Sequence, residues 1–209
     1  MSILQTINVA DLEGFASQSH QMAIAEREPL IGSEAFFNEA LKQPFHVQTK
    51  VSNENAEQDI NTSLKLILPK HLVDHSFYLD WIEDMAKVAR LFCDILETDA
   101  IGFWLGTERG CRRFHVDYVP YRLLVTYSGK GTEWLPDAGA DRRAFEEGLP
   151  NDKIVRDPNA LCFMKPWDIS IFRGGEDGLL HRTPDDALHT RSLLMRLDHP
   201  SFWEKVMRH

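Results

Sequence analysis

The stretch FHVDYVPYRLLVTYSGKGTEWLP, residues 114–136, carries the pattern that decides the fold. It contains two short apolar runs, YRLLVTY and TEWLP, which are separated by the turn sequence SGKG. Runs rich in β-branched and aromatic residues and bounded by glycine, proline or aspartate are typical of β-strands. The stretch therefore predicts two consecutive strands, preceded by a His-x-Asp pair at His115 and Asp117.

Similar runs recur on both sides of this stretch, with glycine, proline or aspartate clusters between them. The candidate strands are residues 101–106, 111–116, 121–127, 132–136, 160–164, 168–173, 178–183 and 191–197. Eight short strands with turn signals are typical of a jelly roll. We therefore predict a mainly β fold with N-terminal helices (α+β), whose core at residues 99–197 is a cupin-like double-stranded β-helix.

The region before this core, residues 1–98, differs in character and predicts a helical and irregular segment packed on the barrel. Between residues 76 and 96, apolar residues recur at steps of three and four with charged residues between them, which indicates an amphipathic helix. With 209 residues, 43% of them hydrophobic, the chain can form one sizeable core. We expect a single domain over residues 1–209.

Composition narrows the range of partners and compartments. The net charge of −9 argues against nucleic acids and anionic membranes as partners, because both favour basic surfaces. No run approaches the roughly 20 apolar residues of a membrane span, and the first residues lack the pattern of a secretory signal. The three cysteines show no CxxC spacing, so we expect a reducing, cytoplasmic environment.

His115 and Asp117 carry the main chemical signal. In an extended segment, residues two apart point to the same side, so an imidazole and a carboxylate can meet at one point. The alternative is a packed histidine beside a turn-forming aspartate. His181, on the seventh candidate strand, would complete a set of two histidines and one carboxylate. That set suits Fe(II) and leaves coordination positions open, but Zn(II) accepts the same ligands, so the metal stays open.

Arginines near the end of the chain could bind an anionic cofactor. Arg191 lies ten residues after His181, at the start of the last candidate strand, and its guanidinium can pair with both oxygens of a carboxylate. Arg196 is a second candidate. Its odd offset from Arg191 places it on the opposite face of a regular strand, so we favour Arg191.

Other side chains near these motifs could contact a cofactor or a substrate. Tyr121 and Tyr127 share one face of the third candidate strand, where a hydroxyl could hydrogen-bond a bound carboxylate. Trp134, on the fourth strand, could line the same pocket, although core packing is the ordinary role of a strand tryptophan. Arg113 and Tyr118, which flank the His-x-Asp pair, are candidates for substrate binding.

The order of these motifs resembles that of Fe(II)/2-oxoglutarate dioxygenases with a double-stranded β-helix. This resemblance implies that His115, Asp117 and His181 hold iron and that Arg191 binds the distal carboxylate of 2-oxoglutarate. The ending HRT…RSLLMR is also similar to that of AlkB-type proteins, in which two arginines follow the histidine. The spacing differs by one position, because Arg191 and Arg196 are five residues apart and the AlkB-type arginines are six apart.

The strings FHVDYVPYRLLVTYSGKGTEWLPD and FRGGEDGLLHRTPDD resemble an uncharacterised bacterial family, domain of unknown function 1826, over most of the chain. That resemblance implies no reaction, but it suggests a link to zinc homeostasis. The leading hypothesis is an oxygenase that hydroxylates or demethylates a small-molecule or protein substrate, reached past the long segment at residues 137–159. The alternative is a zinc-binding accessory protein that uses the same pocket without turnover. A third hypothesis is a barrel that binds no metal and acts through protein contacts.

Overall fold

The protein is described from a computed structural model that covers residues 2–200 and residue 202. The strands are β1 (Ile3–Thr6), β2 (Met22–Ala25), β3 (His46–Ser52), β4 (Ala100–Gly106), β5 (Tyr121–Ser128), β6 (Glu133–Leu135), β7 (Cys162–Phe163), β8 (Ile169–Arg173), β9 (Leu180–Arg182) and β10 (Leu193–Asp198). The helices are α1 (Ser33–Ala40), α2 (Ala56–Lys65), α3 (Lys70–Val73), α4 (Tyr78–Ile95), α5 (Arg142–Glu146) and α6 (Asn151–Ile154).

The strands form two sheets, so the fold is a mixed α/β fold built around one large sheet. The large sheet has seven strands in the order β1-β2-β8-β5-β10-β4-β3. Its β1–β2 pair is parallel, and its other pairs are antiparallel. The small sheet has three antiparallel strands in the order β7-β6-β9. A single β-bridge between His115 and His181 adds the segment before β5 to the free side of β9.

Helix α4 covers one face of the large sheet and confirms the amphipathic helix predicted from the sequence. Its residues Trp81, Met85, Ala89 and Phe92 are fully buried, and they recur at the three- and four-residue steps that bring side chains to one face. They belong to the same hydrophobic cluster as the inward-facing residues of β4, β5 and β10. The opposite face of the central strands is thereby left for the small sheet.

One of the eight predicted strands is absent. Seven of the predictions overlap β4 to β10, whereas the segment at residues 111–116 forms only the single bridge at His115. The side chain of Asn151 forms hydrogen bonds with the backbone of this segment. Its Oδ1 accepts from the Phe114 amide at 2.9 Å, and its Nδ2 donates to the Arg112 carbonyl at 2.9 Å. Backbone groups engaged by a side chain are not available for a strand ladder.

The prediction of a helical and irregular region at residues 1–98 was wrong for three segments. Strands β1, β2 and β3 lie in this region and extend the large sheet at both of its edges. All four residues of β2 are buried, because β2 lies between β1 and β8. A four-residue buried run shows no alternation, so its strand character comes from its partners in the sheet.

Within the described residues, no helix is both long enough and apolar enough to cross a lipid bilayer.

Candidate metal site

Three side chains of metal-ligand type converge at one point. His115, Asp117 and His181 each offer a ligand atom, and these atoms lie within 4.8 Å of one another. Two backbone hydrogen bonds of 3.0 Å join residue 115 to residue 181, one in each direction, and the imidazole centroids are 4.4 Å apart. The main chain therefore holds the two histidines side by side.

The hydrogen bonds of the two imidazoles fix which ring nitrogen carries the proton. Nδ1 of His115 is 3.0 Å from the Arg113 carbonyl oxygen, and Nδ1 of His181 is 2.9 Å from the Leu179 carbonyl oxygen. A carbonyl oxygen only accepts, so each Nδ1 donates its proton and each neutral ring keeps a lone pair on Nε2. The Nε2 atoms of both rings face the carboxylate of Asp117, at 3.9 Å for His115 and 3.2 Å for His181.

The carboxylate of Asp117 has one satisfied oxygen and one unsatisfied oxygen. Oδ1 lies 2.5 Å from Nη1 of Arg122. Oδ2 is buried and accepts no hydrogen bond from the described residues. Leaving a buried charged oxygen without a partner is costly, so an additional cation at this point would compensate it. Two Nε2 lone pairs and this oxygen make a donor set that fits a divalent transition metal.

The pKa shifts favour the ligand forms of these groups. Burial lowers the pKa of His115, and the neighbouring charge of His181 lowers it further. Burial alone would raise the pKa of Asp117, but its interactions with His181, Arg122 and His115 outweigh burial and hold that pKa well below its usual range. Neutral imidazole and ionised carboxylate are the forms that bind metals.

A network of charged side chains from β5 and β10 holds Asp117 in place. Nε of Arg122 is 2.6 Å from Asp198 Oδ1, and Nε of Arg196 is 2.9 Å from Asp198 Oδ2. Arg122 and Asp198 are direct partners in the β5–β10 register. The sequence analysis did not identify Arg122 or Asp198 as part of the site. A charged residue within or directly after an apolar strand was a usable signal for each of them.

The three ligand-type residues lie on the wall of a cavity of about 450 Å³. Four arginines also line this cavity, namely Arg109, Arg122, Arg182 and Arg196. A space of this size can hold a small molecule beside the candidate metal position. The concentration of cationic groups favours an anionic ligand, in spite of the negative charge of the whole chain.

The structure reverses the predicted positions of the two C-terminal arginines. The Arg191 guanidinium lies outside the cavity, where its Nη1 donates to the carbonyl oxygens of Leu41, at 2.6 Å, and Lys42. Arg196 lines the cavity instead and packs over the Trp104 ring at 5.5 Å. Alternation along β10 holds as predicted and places the two arginines on opposite faces, but the cavity lies on the Arg196 face: Leu194 and Arg196 line it, whereas Leu193 and Met195 belong to the core cluster on the other face.

The two tyrosines predicted to contact a cofactor lie on the other face of the sheet. Tyr127 is buried and donates to Asp84 Oδ2 at 2.7 Å, and the Tyr121 hydroxyl accepts from Arg173 Nη1 at 2.9 Å. The alternation along β5 was correctly identified, but Arg122 and Leu124 are the residues of this strand that reach the cavity. These tyrosines therefore belong to the core and its edge.

Three further candidates lie near the site without lining the cavity. Trp134 is buried, pairs in register with His181 and packs between the two sheets with Leu124 and Phe172. Arg113 is exposed and extends over the Phe145 ring at 5.9 Å. Tyr118 is 80% exposed. The roles of Arg113 and Tyr118 in substrate binding stay predictions.

Fold and site together define a class: a mixed α/β protein with two histidines and one carboxylate gathered on a cavity wall. Comparison by sequence then identifies the family. The family described as "Protein of unknown function (DUF1826)" matches residues 7–198, and the chain belongs to it. No curated protein matches the chain by sequence.

Several solved structures are similar to the chain over most of its length. A bsmA homologue from Methylobium petroleophilum PM1 shares 11% identity at a TM-score of 0.48, with 92% of this chain and 94% of that chain covered. The 2-oxoglutarate complex of dioxygenase for auxin oxidation 1 from Arabidopsis thaliana shares 10% identity at a TM-score of 0.42, with 95% and 92% covered. The Fe(II)/(alpha)ketoglutarate-dependent dioxygenase TqaL shares 9% identity at a TM-score of 0.44, with 91% and 86% covered. At these scores the likeness by itself establishes neither the fold nor an activity.

Proposed function

We propose that the protein is a non-haem Fe(II)- and 2-oxoglutarate-dependent oxygenase. The observation that carries this proposal is the convergence of His115, Asp117 and His181, each with a ligand atom within 4.8 Å of the others. Both imidazoles keep a lone pair on Nε2, and Oδ2 of Asp117 is unsatisfied. Two histidines and one carboxylate occupy one face of an octahedral ion and leave three positions for a chelating co-substrate and O2. The adjacent cavity supplies room for the co-substrate.

The order of the strands supports a double-stranded β-helix as the core. When the eight predicted strands are numbered along the chain, the central part of the large sheet runs 6-3-8-1. The small sheet runs 5-4-7, and the His115–His181 bridge adds segment 2 beside strand 7. Strands 1, 3, 6 and 8 thus face strands 2, 4, 5 and 7, which is the division of a jelly roll into two four-stranded sheets.

In this proposal the metal and its co-substrate supply the oxidation, and the chain supplies ligation and orientation. When bound, Fe(II), 2-oxoglutarate and O2 would supply an oxidation in which one oxygen atom of O2 enters a substrate C–H bond and the other enters succinate, with release of CO2. His115, Asp117 and His181 would hold the metal. Arg122 keeps Asp117 ionised and occupies its Oδ1, which leaves Oδ2 for the metal.

Anaerobic titration tests the proposal. Protein loaded with Fe(II) should develop a metal-to-ligand charge-transfer absorption band on addition of 2-oxoglutarate, and admission of O2 should yield succinate. His181→Ala and Asp117→Ala should abolish both signals, whereas His71→Ala, which changes an exposed histidine far from the cavity, should retain them. Tight binding of Zn(II) with no band and no succinate would instead support the zinc-binding accessory protein.

A further inference from the structure

The four arginines that line the cavity differ in whether they have an anionic partner. Arg122, Arg182 and Arg196 each pair with at least one carboxylate, whereas Arg109 pairs with none in the described part of the chain. The partners are Asp117 and Asp198 for Arg122, Glu133 and Asp185 for Arg182, and Asp198 for Arg196. Arg109 is thus the cavity arginine whose positive charge is not compensated by a carboxylate of the described residues.

Arg109 is held in place by neutral acceptors. Its Nη1 donates to the Lys130 carbonyl at 2.9 Å and to Ser192 Oγ at 3.2 Å, and its Nη2 donates to Thr132 Oγ1 at 3.0 Å. Burial lowers the pKa of Arg109 to about 10, which still leaves it charged at neutral pH. Three of its five N–H donors are used, so Nε–H and one Nη2–H are free for a ligand. Two such donors can bind both oxygens of a carboxylate.

Two buried hydroxyls accompany this guanidinium. Thr132 directly precedes β6 and lines the cavity, and Ser192 directly precedes β10. Each hydroxyl already accepts a hydrogen bond from Arg109, so its own hydrogen can be donated to an anion. A guanidinium flanked by two hydroxyl donors is a carboxylate-binding arrangement.

The spacing along the small sheet sets the distance between this arrangement and the candidate metal position. Trp134 of β6 is the register partner of His181. Thr132 lies two residues before Trp134, next to the first residue of β6. Two residues of a strand span about 7 Å. A five-carbon dicarboxylic acid is of comparable length, so one end could reach the metal position while the other reaches Arg109.

We propose that Arg109, with the hydroxyls of Thr132 and Ser192, binds the distal carboxylate of a 2-oxo dicarboxylic acid whose 2-oxo acid end faces the metal site. Arg109 thereby takes the role that the resemblance to dioxygenases implied for Arg191, whose guanidinium lies outside the cavity. This inference rests on the proposed oxygenase function and names the residue that selects its co-substrate.

The test measures affinity and selectivity, without turnover. Anaerobic Fe(II)-loaded protein is titrated with 2-oxoglutarate and with 2-oxobutyrate, which lacks the distal carboxylate, and the charge-transfer band gives each Kd. Arg109→Gln should weaken 2-oxoglutarate by at least about 30-fold, because a desolvated charge pair is lost, and should leave 2-oxobutyrate unchanged. Arg191→Gln is the matched control and should change neither affinity.

The outcomes separate the inference from the function beneath it. If the wild-type protein gives no band with either acid, the oxygenase proposal fails and the inference fails with it. If the wild-type protein prefers 2-oxoglutarate and Arg109→Gln keeps that preference, or if Arg191→Gln loses it, the inference alone is overturned. Should Arg109→Gln not fold, Thr132→Val and Ser192→Ala carry the test: a several-fold loss of preference supports the inference, and an unchanged preference refutes it.

Discussion

Arg122 sets the state of the carboxylate that would ligate a metal. It contacts Asp117 and Asp198 at the same time, and its side chain is only 8% exposed. Because its charge lowers the pKa of Asp117, it favours the ionised form. It also prevents two buried carboxylates from facing each other without a cation.

Removal of this guanidinium should therefore weaken both metal binding and the fold. We expect Arg122→Met to lower metal affinity by about 10- to 100-fold. We also expect it to reduce the free energy of unfolding by about 3–5 kcal/mol, since the buried carboxylate of Asp117 loses its arginine partner and Asp198 keeps only Arg196. Metal titration and urea unfolding measure the two effects, and an unchanged metal affinity would show that Arg122 has a structural role only.

Asp117 should also leave a signature in the pH dependence of stability. Its pKa is lower in the folded chain than in the unfolded chain, so its contribution to stability is fully present above the unfolded value, about 4, and is lost as the pH falls below it. In metal-free protein, Asp117→Asn should flatten this acid-side loss. Urea unfolding at a series of pH values measures it, and equal slopes for both proteins would contradict the assignment.

At the scale of elements, the sequence predicted the strands of the core better than it predicted which face of each strand lines the cavity. Seven strands were identifiable because apolar runs and turn residues are local signals. The alternation along β10 was identifiable as well, but its cavity face was not, since that depends on where the small sheet and the helices pack. Leu194 and Arg196 line the cavity, whereas Leu193 and Met195 belong to the core cluster that includes α4. Strands β1 and β2 were missed because four residues are too few to show a period.

The segment at residues 137–159 positions the first histidine of the candidate site, His115. Through both ends of its amide, Asn151 holds the main chain at Arg112 and Phe114, directly before His115. The long segment predicted to be functional therefore acts on the site through this side chain.

Asn151→Ala should loosen the main chain that carries His115. We expect a loss of about 1–2 kcal/mol in unfolding free energy, because buried backbone groups lose their partners, together with weaker metal binding. Asn159→Ala, which changes an exposed residue of the same segment, is the control. Hydrogen exchange at residues 112–117 should accelerate only in the Asn151 variant; protection equal to that of the wild-type protein would contradict this assignment.

At the scale of the whole molecule, one buried carboxylate joins three parts of the chain. Asp84 of α4 accepts from Arg27 at 2.7 Å and from Tyr127 of β5 at 2.7 Å, and Arg27 also donates to the Trp167 carbonyl at 2.9 Å. The helical layer is thereby attached to the sheet on the side that faces away from the cavity. Sequence alone could not predict this, because the three partners are far apart along the chain.

This network allows the predicted cofactor role of Tyr127 to be tested directly. Tyr127→Phe should reduce the free energy of unfolding by about 1–2 kcal/mol, through loss of the hydrogen bond to Asp84, and should leave the affinity for metal and 2-oxo acids unchanged. Asp84→Ala should cost about 3–5 kcal/mol, since the largely buried guanidinium of Arg27 would lose its anionic partner. A change in the ligand affinity of Tyr127→Phe would show that Tyr127 contributes to ligand binding.

The pair of backbone hydrogen bonds between residues 115 and 181 has a thermodynamic consequence. These main-chain bonds bring the two imidazoles together, and they do not depend on which side chains residues 115 and 181 carry. The entropy of bringing these two donors together is thus lost during folding and not during metal capture. Metal-free and metal-loaded protein should accordingly share one backbone conformation, and discrimination between ions is left to the coordination geometry that each ion prefers.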